Sequence, residues 1–101
     1  MILRLTYFSL LPGKVEDMKR MYAEETTPQV KQQKGNLDCR LLEPVNETDD
    51  YISMTVWDNQ EDADTYHSSG KYRQLVDMAR PNFAKEPVLK IYHAENVMEH
   101  A

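Results

Sequence analysis

A histidine and an arginine are the residues of this sequence best suited to catalysis. His67 lies next to Tyr66 and three residues after Asp64, where its imidazole could act as a general base or as a ligand. Arg4 carries a permanent positive charge that can stabilise a substrate anion. His67 and Arg4 are therefore the candidate catalytic residues. The alternative for His67 is structural: it caps the carbonyls at the end of a helix or faces solvent.

Further side chains could bind a substrate. Trp57, the only tryptophan, ends a strand-like run and could stack on an aromatic ring, or could instead fill the seam between a sheet and a helix. Tyr66 has the same two alternatives, as a wall of a pocket or as a packing anchor. Arg40, a second cation, and Thr6, a hydroxyl on the opening strand, complete the candidate substrate-binding residues.

Several familiar kinds of catalytic motif are missing from the sequence. It contains no P-loop, no G-x-G-x-x-G, no G-x-S-x-G and no H-E-x-x-H, and its three glycines are too few for a phosphate-binding loop. The one cysteine, Cys39, lies in an alternating run and is predicted to be a small buried side chain. His93 and His100 are distant from His67 in the chain. We therefore predict no metal site and no bound cofactor.

Length and charge narrow the functional class. The 101 residues suffice for one domain, which we place at residues 1–95 with a polar C-terminal tail at 96–101. A net charge of −5 argues against binding to nucleic acid or to an anionic membrane. The N-terminus lacks the features of a signal peptide, and no apolar run reaches the roughly 20 residues that span a bilayer. We therefore expect a cytoplasmic protein.

Hydrophobic periodicity predicts four strands and two divided helices. Runs rich in β-branched or alternating residues predict strands at residues 2–10, 37–41, 51–57 and 88–94. The apolar stripe of Val15, Met18 and Tyr22 predicts a first helix after the first strand. Thr27 and Pro28 are predicted to interrupt this helix, with Thr27 as the N-cap of a final turn.

The second helix is predicted to follow the third strand directly. Asp58 and Glu61 have the spacing of a capping box at a helix start. Ala63, Tyr66 and His67 would then share the inward face of a short helix. A Ser-Ser-Gly run divides this helix from a second amphipathic piece, which ends before a proline.

This β-α-β-β-α-β order predicts an α+β fold: a ferredoxin-like sandwich with a four-stranded antiparallel sheet and helices on one face. Strand alternation assigns Leu3, Cys39 and Met54 to one face, which we predict to be a plain core. The other face, with Arg4 and Arg40, is either a half-solvated surface or the wall of a cavity. One face of such a sheet stays bare, and it either remains polar in water or meets a second copy of the chain.

Three stretches of the sequence carry a family resemblance. They are TVWDNQEDADTYHSSGKYRQL, TPQVKQQKGNLDCRLLEP, and PGKVEDM after the opening strand. With them, residues 2–95 resemble the antibiotic biosynthesis monooxygenase family. The resemblance implies a dimeric α+β barrel, a homodimer in which each subunit covers the exposed sheet of the other, with the last strand at the seam. It also implies a ligand pocket between the sheet and the helices of one subunit.

The resemblance implies a cofactor-independent monooxygenase that acts on a small aromatic, phenolic or quinol substrate. Such a reaction needs a base or hydrogen-bond donor, a cation for the substrate anion, and aromatic walls. His67, Arg4 or Arg40, and Trp57 with Tyr66 would supply these. The alternative is a dimer that binds a small molecule without catalysis.

Haem degradation is another activity of the family, and this sequence matches the residues of the haem-degrading branch less well. The haem-degrading branch carries an Asn, a Trp and a His at positions that correspond here to Thr6, Tyr66 and a residue near Val76. None of the three matches. His67 lies more than one helical turn too early to replace the histidine that binds iron.

Overall fold

The chain forms one four-stranded antiparallel sheet with helices packed on one face. The computed structural model describes residues 1–95, and its strands are β1 Ile2–Phe8, β2 Asn36–Leu42, β3 Tyr51–Trp57 and β4 Val88–His93. The strand order is β2-β3-β1-β4, and every pairing is antiparallel. The predicted ferredoxin-like α+β fold is therefore confirmed. The tail predicted at 96–101 lies outside the described residues.

Helical segments connect the strands on that one face. Between β1 and β2 lie α1 Val15–Met21, a π-helical turn Tyr22–Thr26 and α2 Thr27–Lys31; between β3 and β4 lie α3 Gln60–Ser68 and α4 Lys71–Ala79. Gly70 separates α3 from α4 with a φ of +87°, which an L-residue rarely adopts, so the predicted break falls here. Over residues 1–95, no helix is both long and apolar enough to cross a membrane.

The first helix is not interrupted at Thr27 and Pro28, so this prediction was wrong. Thr27 has helical dihedral angles (φ −57°, ψ −48°), and no side chain caps the start of α2. The backbone N–H of Thr27 instead donates to the carbonyl of Tyr22, five residues earlier, in a π-helical turn. Pro28 lacks an N–H, and its ring would collide with the carbonyl four residues earlier in a regular α-helix. The wider π turn accommodates the proline, so the helix continues.

The N-cap of helix α3 lies one residue later than predicted. Asn59, not Asp58, is the N-cap: its Oδ1 accepts from the backbone N–H of Asp62 at 2.8 Å. Its Nδ2 donates to the Asp62 carboxylate at 3.1 Å. Asp62 is buried against Gly35, which has a φ of +81°, and a β-carbon at position 35 would collide with the carboxylate. The cap therefore ties the loop before β2 to the start of α3.

The strand registers place Cys39 on the opposite face from the predicted one. Arg4 of β1 lies opposite Thr55 of β3, and Thr55 lies opposite Cys39 of β2, so the three share the face beneath the helices. The prediction had grouped Cys39 with Met54, on the face away from Arg4. A β-bulge near the start of β2 shifts its register, and alternation within one strand does not define its phase relative to the next.

The sheet face that was predicted to be a plain core is only partly buried. On β1 and β3 its residues, such as Leu5 and Met54, are half-buried on the face that carries no helices. Val88 and Tyr92 of β4 lie on the same open face, and each is 50% exposed. The core lies under the helices instead, and consists of Ile2, Phe8, Met18, Tyr22, Val30, Cys39, Trp57, Ala63, Tyr66, Leu75 and Ala79. The chain alone therefore leaves an apolar sheet face uncovered.

Candidate functional site

Arg4 is a buried cation at a helix-facing position of β1. It is only 3% exposed, and its Nη2 donates to Nδ1 of His67 at 2.9 Å. Its guanidinium carbon lies 4.7 Å from the ring centroid of Tyr72 and 5.5 Å from that of Tyr66. Its Nε has no hydrogen-bond partner, and it forms no salt bridge with a carboxylate of residues 1–95. Burial lowers the pKa of Arg4, while the two tyrosines and the more distant carboxylate of Asp64 oppose this effect, and the guanidinium stays charged. Within residues 1–95 its direct contacts are therefore rings and an imidazole, not a carboxylate.

The contact with Arg4 determines which nitrogen of His67 carries the proton. A guanidinium only donates hydrogen bonds, so Nδ1 of His67 must accept and the ring proton lies on Nε2. The imidazole is exposed, and its ring stacks on Tyr72 with centroids 5.4 Å apart. The predicted inward position of His67 is therefore wrong, although Ala63 and Tyr66 are inward and buried. As folded, His67 has no free lone pair with which to act as a base.

Three aromatic residues form a wall beside Arg4. Trp57 is fully buried, and its ring stacks on Tyr66 with centroids 4.6 Å apart. The indole N–H of Trp57 donates to Oγ1 of Thr55 at 2.9 Å. Tyr66 meets Tyr72 edge-on, with centroids 6.0 Å apart. Trp57 therefore supports Tyr66 from behind, and burial raises the pKa of Tyr66 so that its phenol stays neutral.

A small apolar cavity lies between the sheet and the helices. Its volume is about 40 Å³, and it belongs to a cleft whose empty volume, including open solvent, is about 400 Å³. The lining residues come from β1, β3, the helices and the segment before β4: Thr6, Phe8, Met18, Tyr22, Thr26, Val30, Ser53, Tyr66, Tyr72, Leu75, Val76, Ala79 and Phe83. The cavity has room for a few water molecules or a dioxygen molecule.

Four of the hydroxyl side chains in the cavity lining form two hydrogen-bonded pairs. Thr6 Oγ1 lies 2.9 Å from the hydroxyl of Tyr72, and Ser53 Oγ lies 2.8 Å from the hydroxyl of Tyr22. Tyr22 is buried, and burial raises its pKa well above the ordinary value, so it too stays neutral. Thr6 and Ser53 face each other in the β1–β3 register. Each strand hydroxyl is thus held by a tyrosine from a different helical region.

The sequence-based candidates divide into four positions, and Trp57 lies behind Tyr66, outside the cavity lining. Thr6 and Tyr66 line the cavity, whereas Arg4 and His67 lie beside it and contact its wall at Tyr72. Arg40 lies on the opposite face of the sheet, with its Nε 2.7 Å from the carboxylate of Asp38. Arg40 is therefore not part of the cluster around Arg4.

Sequence reasoning missed three residues of the site. The sequence pattern places Tyr22 in an apolar helix stripe and gives no functional role to Tyr72 or Ser53. The available signal was weak: hydroxyl side chains at alternate positions of β1 and β3 face the helices, and two apolar stripes each carry a tyrosine. Within residues 1–95, no three or more His, Cys, Asp or Glu side chains are grouped so as to hold a metal ion.

Solved structures share this fold over nearly the whole chain. SnoaB, a cofactor-independent oxygenase from Streptomyces nogalater, has a TM-score of 0.78 at 12% identity, covering 98% of this chain and 97% of that chain. The haem-degrading protein MhuD from Mycobacterium tuberculosis has a TM-score of 0.77 at 17% identity, covering 98% of this chain and 100% of that chain. At these identities the similarity shows the fold alone.

The sequence itself matches a family model. A structure from Nitrosomonas europaea, named as an antibiotic biosynthesis monooxygenase, has a TM-score of 0.75 at 18% identity, covering 93% of this chain and 98% of that chain. No curated protein matches the chain by sequence. The family model described as antibiotic biosynthesis monooxygenase matches residues 1–78, more than half of the chain. The chain therefore belongs to the antibiotic biosynthesis monooxygenase family.

Proposed function

We propose that the protein is a cofactor-independent monooxygenase that acts on a small phenolic or quinol substrate. The observation that carries the proposal is Arg4, a buried cation that forms no salt bridge with a carboxylate of residues 1–95 and lies beside two tyrosines that wall an apolar cavity. Such a cation can stabilise an anion that forms on a bound substrate. Membership of the family and the shared fold with SnoaB, named as a cofactor-independent oxygenase, support the proposal.

The reaction needs only the substrate, dioxygen and a dry, charged environment. In its keto form, as in an anthrone, a phenol has a ring carbon that bears two hydrogens. This carbon loses a proton, and the resulting anion transfers electrons to dioxygen. A carbon–oxygen bond forms to give a hydroperoxide, which loses water and leaves a carbonyl. One oxygen atom of dioxygen thus enters the product, the other becomes water, and the substrate supplies all four electrons.

Arg4 and His67 would act as a pair in this sequence. When Nη2 of Arg4 turns to the substrate anion, it releases Nδ1 of His67, whose lone pair can then accept the substrate proton. Tyr66 and Tyr72 hold the aromatic ring and exclude water. The cavity of about 40 Å³ must widen for a ring to enter, and the flexible side chain of Met18 in its lining can move to allow this.

Oxygen uptake with an anthrone or a hydroquinone tests the proposal. Wild-type protein is expected to consume oxygen, and Arg4→Gln is expected to lower kcat about 100-fold because the anion loses its cation. Arg73→Gln is the matched control, since the side chain of Arg73 is 86% exposed, and it should retain wild-type activity. An absence of oxygen uptake with every phenol and quinol would remove the proposal.

A homodimer through the open sheet face is part of the proposed function. That face exposes Val88, Tyr92 and Leu42 around half-buried Leu5 and Met54, which is unusual for a face that remains in water. A second copy placed on it would bury the patch and enclose the sheet, with β4 at the seam. We propose this arrangement for the working protein.

The competing function is a dimer that binds a small molecule without turnover. The observation in its favour is that the only lone pair of His67 is engaged by Arg4. Binding without oxygen uptake would support it. Haem degradation has weaker support. The family's iron-binding histidine would lie near Val76, which lines the cavity, but no histidine of residues 1–95 lines it. A haem titration without a Soret shift would remove that third function.

A further inference from the structure

The hydroxyl of Tyr22 has three neighbours, and their chemistry determines where the hydroxyl hydrogens of Tyr22 and Ser53 lie. It is 3.1 Å from the backbone carbonyl of Arg40, 2.8 Å from Oγ of Ser53 and 3.3 Å from Sγ of Cys39. A carbonyl can only accept, so the single hydrogen of Tyr22 goes to Arg40. Ser53 must then donate to the Tyr22 oxygen. The thiol hydrogen of Cys39 has two acceptors within reach, the Tyr22 oxygen and Oγ1 of Thr27 at 3.9 Å, and the Ser53 hydrogen points to Tyr22 in either case.

In this arrangement Ser53 cannot donate a hydrogen bond to a ligand. Its hydroxyl hydrogen points at Tyr22, while the residue lines the cavity and its oxygen accepts no hydrogen bond from residues 1–95. The neighbouring pair differs, because Thr6 and Tyr72 share one hydrogen bond and hold two hydrogens between them. One of those hydrogens remains available to a ligand. We call Thr6, Ser53 and Tyr72 the floor of the cavity. The floor thus accepts a hydrogen bond at Ser53 and donates one at Thr6 or Tyr72.

We infer that the floor of the cavity recognises one neutral hydroxyl group of the substrate. Thr6 and Ser53 lie opposite each other in the β1–β3 register, where β-carbons are roughly 5 Å apart. A single hydroxyl between them donates to Ser53 and accepts from the Thr6–Tyr72 pair. A water molecule can make the same bonds in the free protein, since the cavity is large enough for one.

The inference rests on the proposed function, in that the cavity is taken as the ligand site, and it narrows the substrate class. A methyl ether cannot donate to Ser53, and an ionised phenolate would set its lone pairs against those of Ser53. The substrate is therefore a hydroxylated aromatic whose deep hydroxyl stays protonated. The proton lost in the reaction comes from a different position, nearer Arg4.

Binding of phenol and anisole tests the inference without any turnover. The indole N–H resonance of Trp57, the only tryptophan, reports on the cavity through its stack on Tyr66, and titrations are run under nitrogen. Wild-type protein is expected to bind phenol about tenfold more tightly than anisole, the value of one hydrogen bond. Ser53→Ala is expected to abolish this preference by weakening phenol. Ser68→Ala, at an exposed serine of α3, should keep it.

Tyr22→Phe provides a second variant with the opposite effect. Without the Tyr22 oxygen, the hydrogen of Ser53 becomes free to donate into the cavity, so anisole is expected to bind several-fold more tightly. A wild-type protein that binds neither probe or binds both equally overturns the inference. So does an unchanged preference in Ser53→Ala or in Tyr22→Phe. If the protein discriminates phenol from anisole but consumes no oxygen, only the oxygenase function is refuted. If it consumes oxygen and Ser53→Ala still prefers phenol to the same degree, only the inference is refuted.

Discussion

At the scale of single residues, the site combines several buried polar groups that stay uncharged with one buried residue that stays charged. Burial raises the pKa of Tyr22, Tyr66 and Cys39, so all three remain protonated, whereas Arg4 is buried and still a cation. A neutral, apolar cavity beside a single cation is the environment in which an anion on a bound ring would be stabilised most.

The raised pKa of Tyr22 predicts a loss of stability at alkaline pH. The unfolded chain releases this proton near pH 10, whereas the folded protein holds it, so the contribution to stability is complete below about pH 10 and is lost as pH rises further. Each such group adds a slope of about 1.4 kcal/mol per pH unit. Urea unfolding of Tyr22→Phe between pH 9.5 and roughly pH 11 should show a shallower decline than wild type. Equal slopes would contradict the account.

At the scale of elements, local rules predicted helices and strands well but not the details of their ends. Tyr51–Trp57 was predicted with its observed bounds, because a polar loop and an acidic helix start flank it. The interruption at Pro28 failed, since a proline rule for α-helices does not include a preceding π turn. The predicted phase of β2 relative to β1 also failed, because register is a property of strand pairs.

The N-cap of α3 can be tested directly, because the sequence predicts Asp58 at this position and the structure shows Asn59. Asn59→Ala is expected to lower the free energy of unfolding by about 1 kcal/mol, because the backbone N–H of Asp62 loses its acceptor. Asp58→Ala, at the position that the spacing favoured, is the control and should change stability by less than about 0.5 kcal/mol. Chemical denaturation of both variants measures the difference, and a larger loss in Asp58→Ala would contradict the assigned cap.

At the scale of the whole molecule, the parts of the site that sequence could not predict are contacts between distant residues. Arg4 and His67 are 63 positions apart, and Tyr22 and Ser53 are 31 apart. Residue type alone singled out the first pair, because a histidine and an arginine are natural candidates for chemistry. Nothing distinguished Ser53 from any other strand hydroxyl until its hydrogen-bond partners were known.

The proposed homodimer predicts a specific response to charge on the sheet. Leu5→Lys places a cation at the centre of the open face, opposite Lys90 in the β1–β4 register, and should convert the dimer to a monomer. Val45→Lys, at a loop residue that is 104% exposed, makes the same change elsewhere and should leave the dimer intact. Sedimentation at micromolar concentration distinguishes twice the 11.8 kDa chain mass from the chain mass itself. A wild-type monomer would contradict this arrangement.

The most direct test of the central proposal follows the oxygen atoms. Chelator-treated protein is given an anthrone under ¹⁸O₂, and the product is analysed by mass spectrometry. The account predicts one ¹⁸O atom per quinone product, the other in water, with turnover unchanged by the chelator and strongly reduced in Arg4→Gln. A product without ¹⁸O, or turnover that disappears when metals are removed, would contradict it.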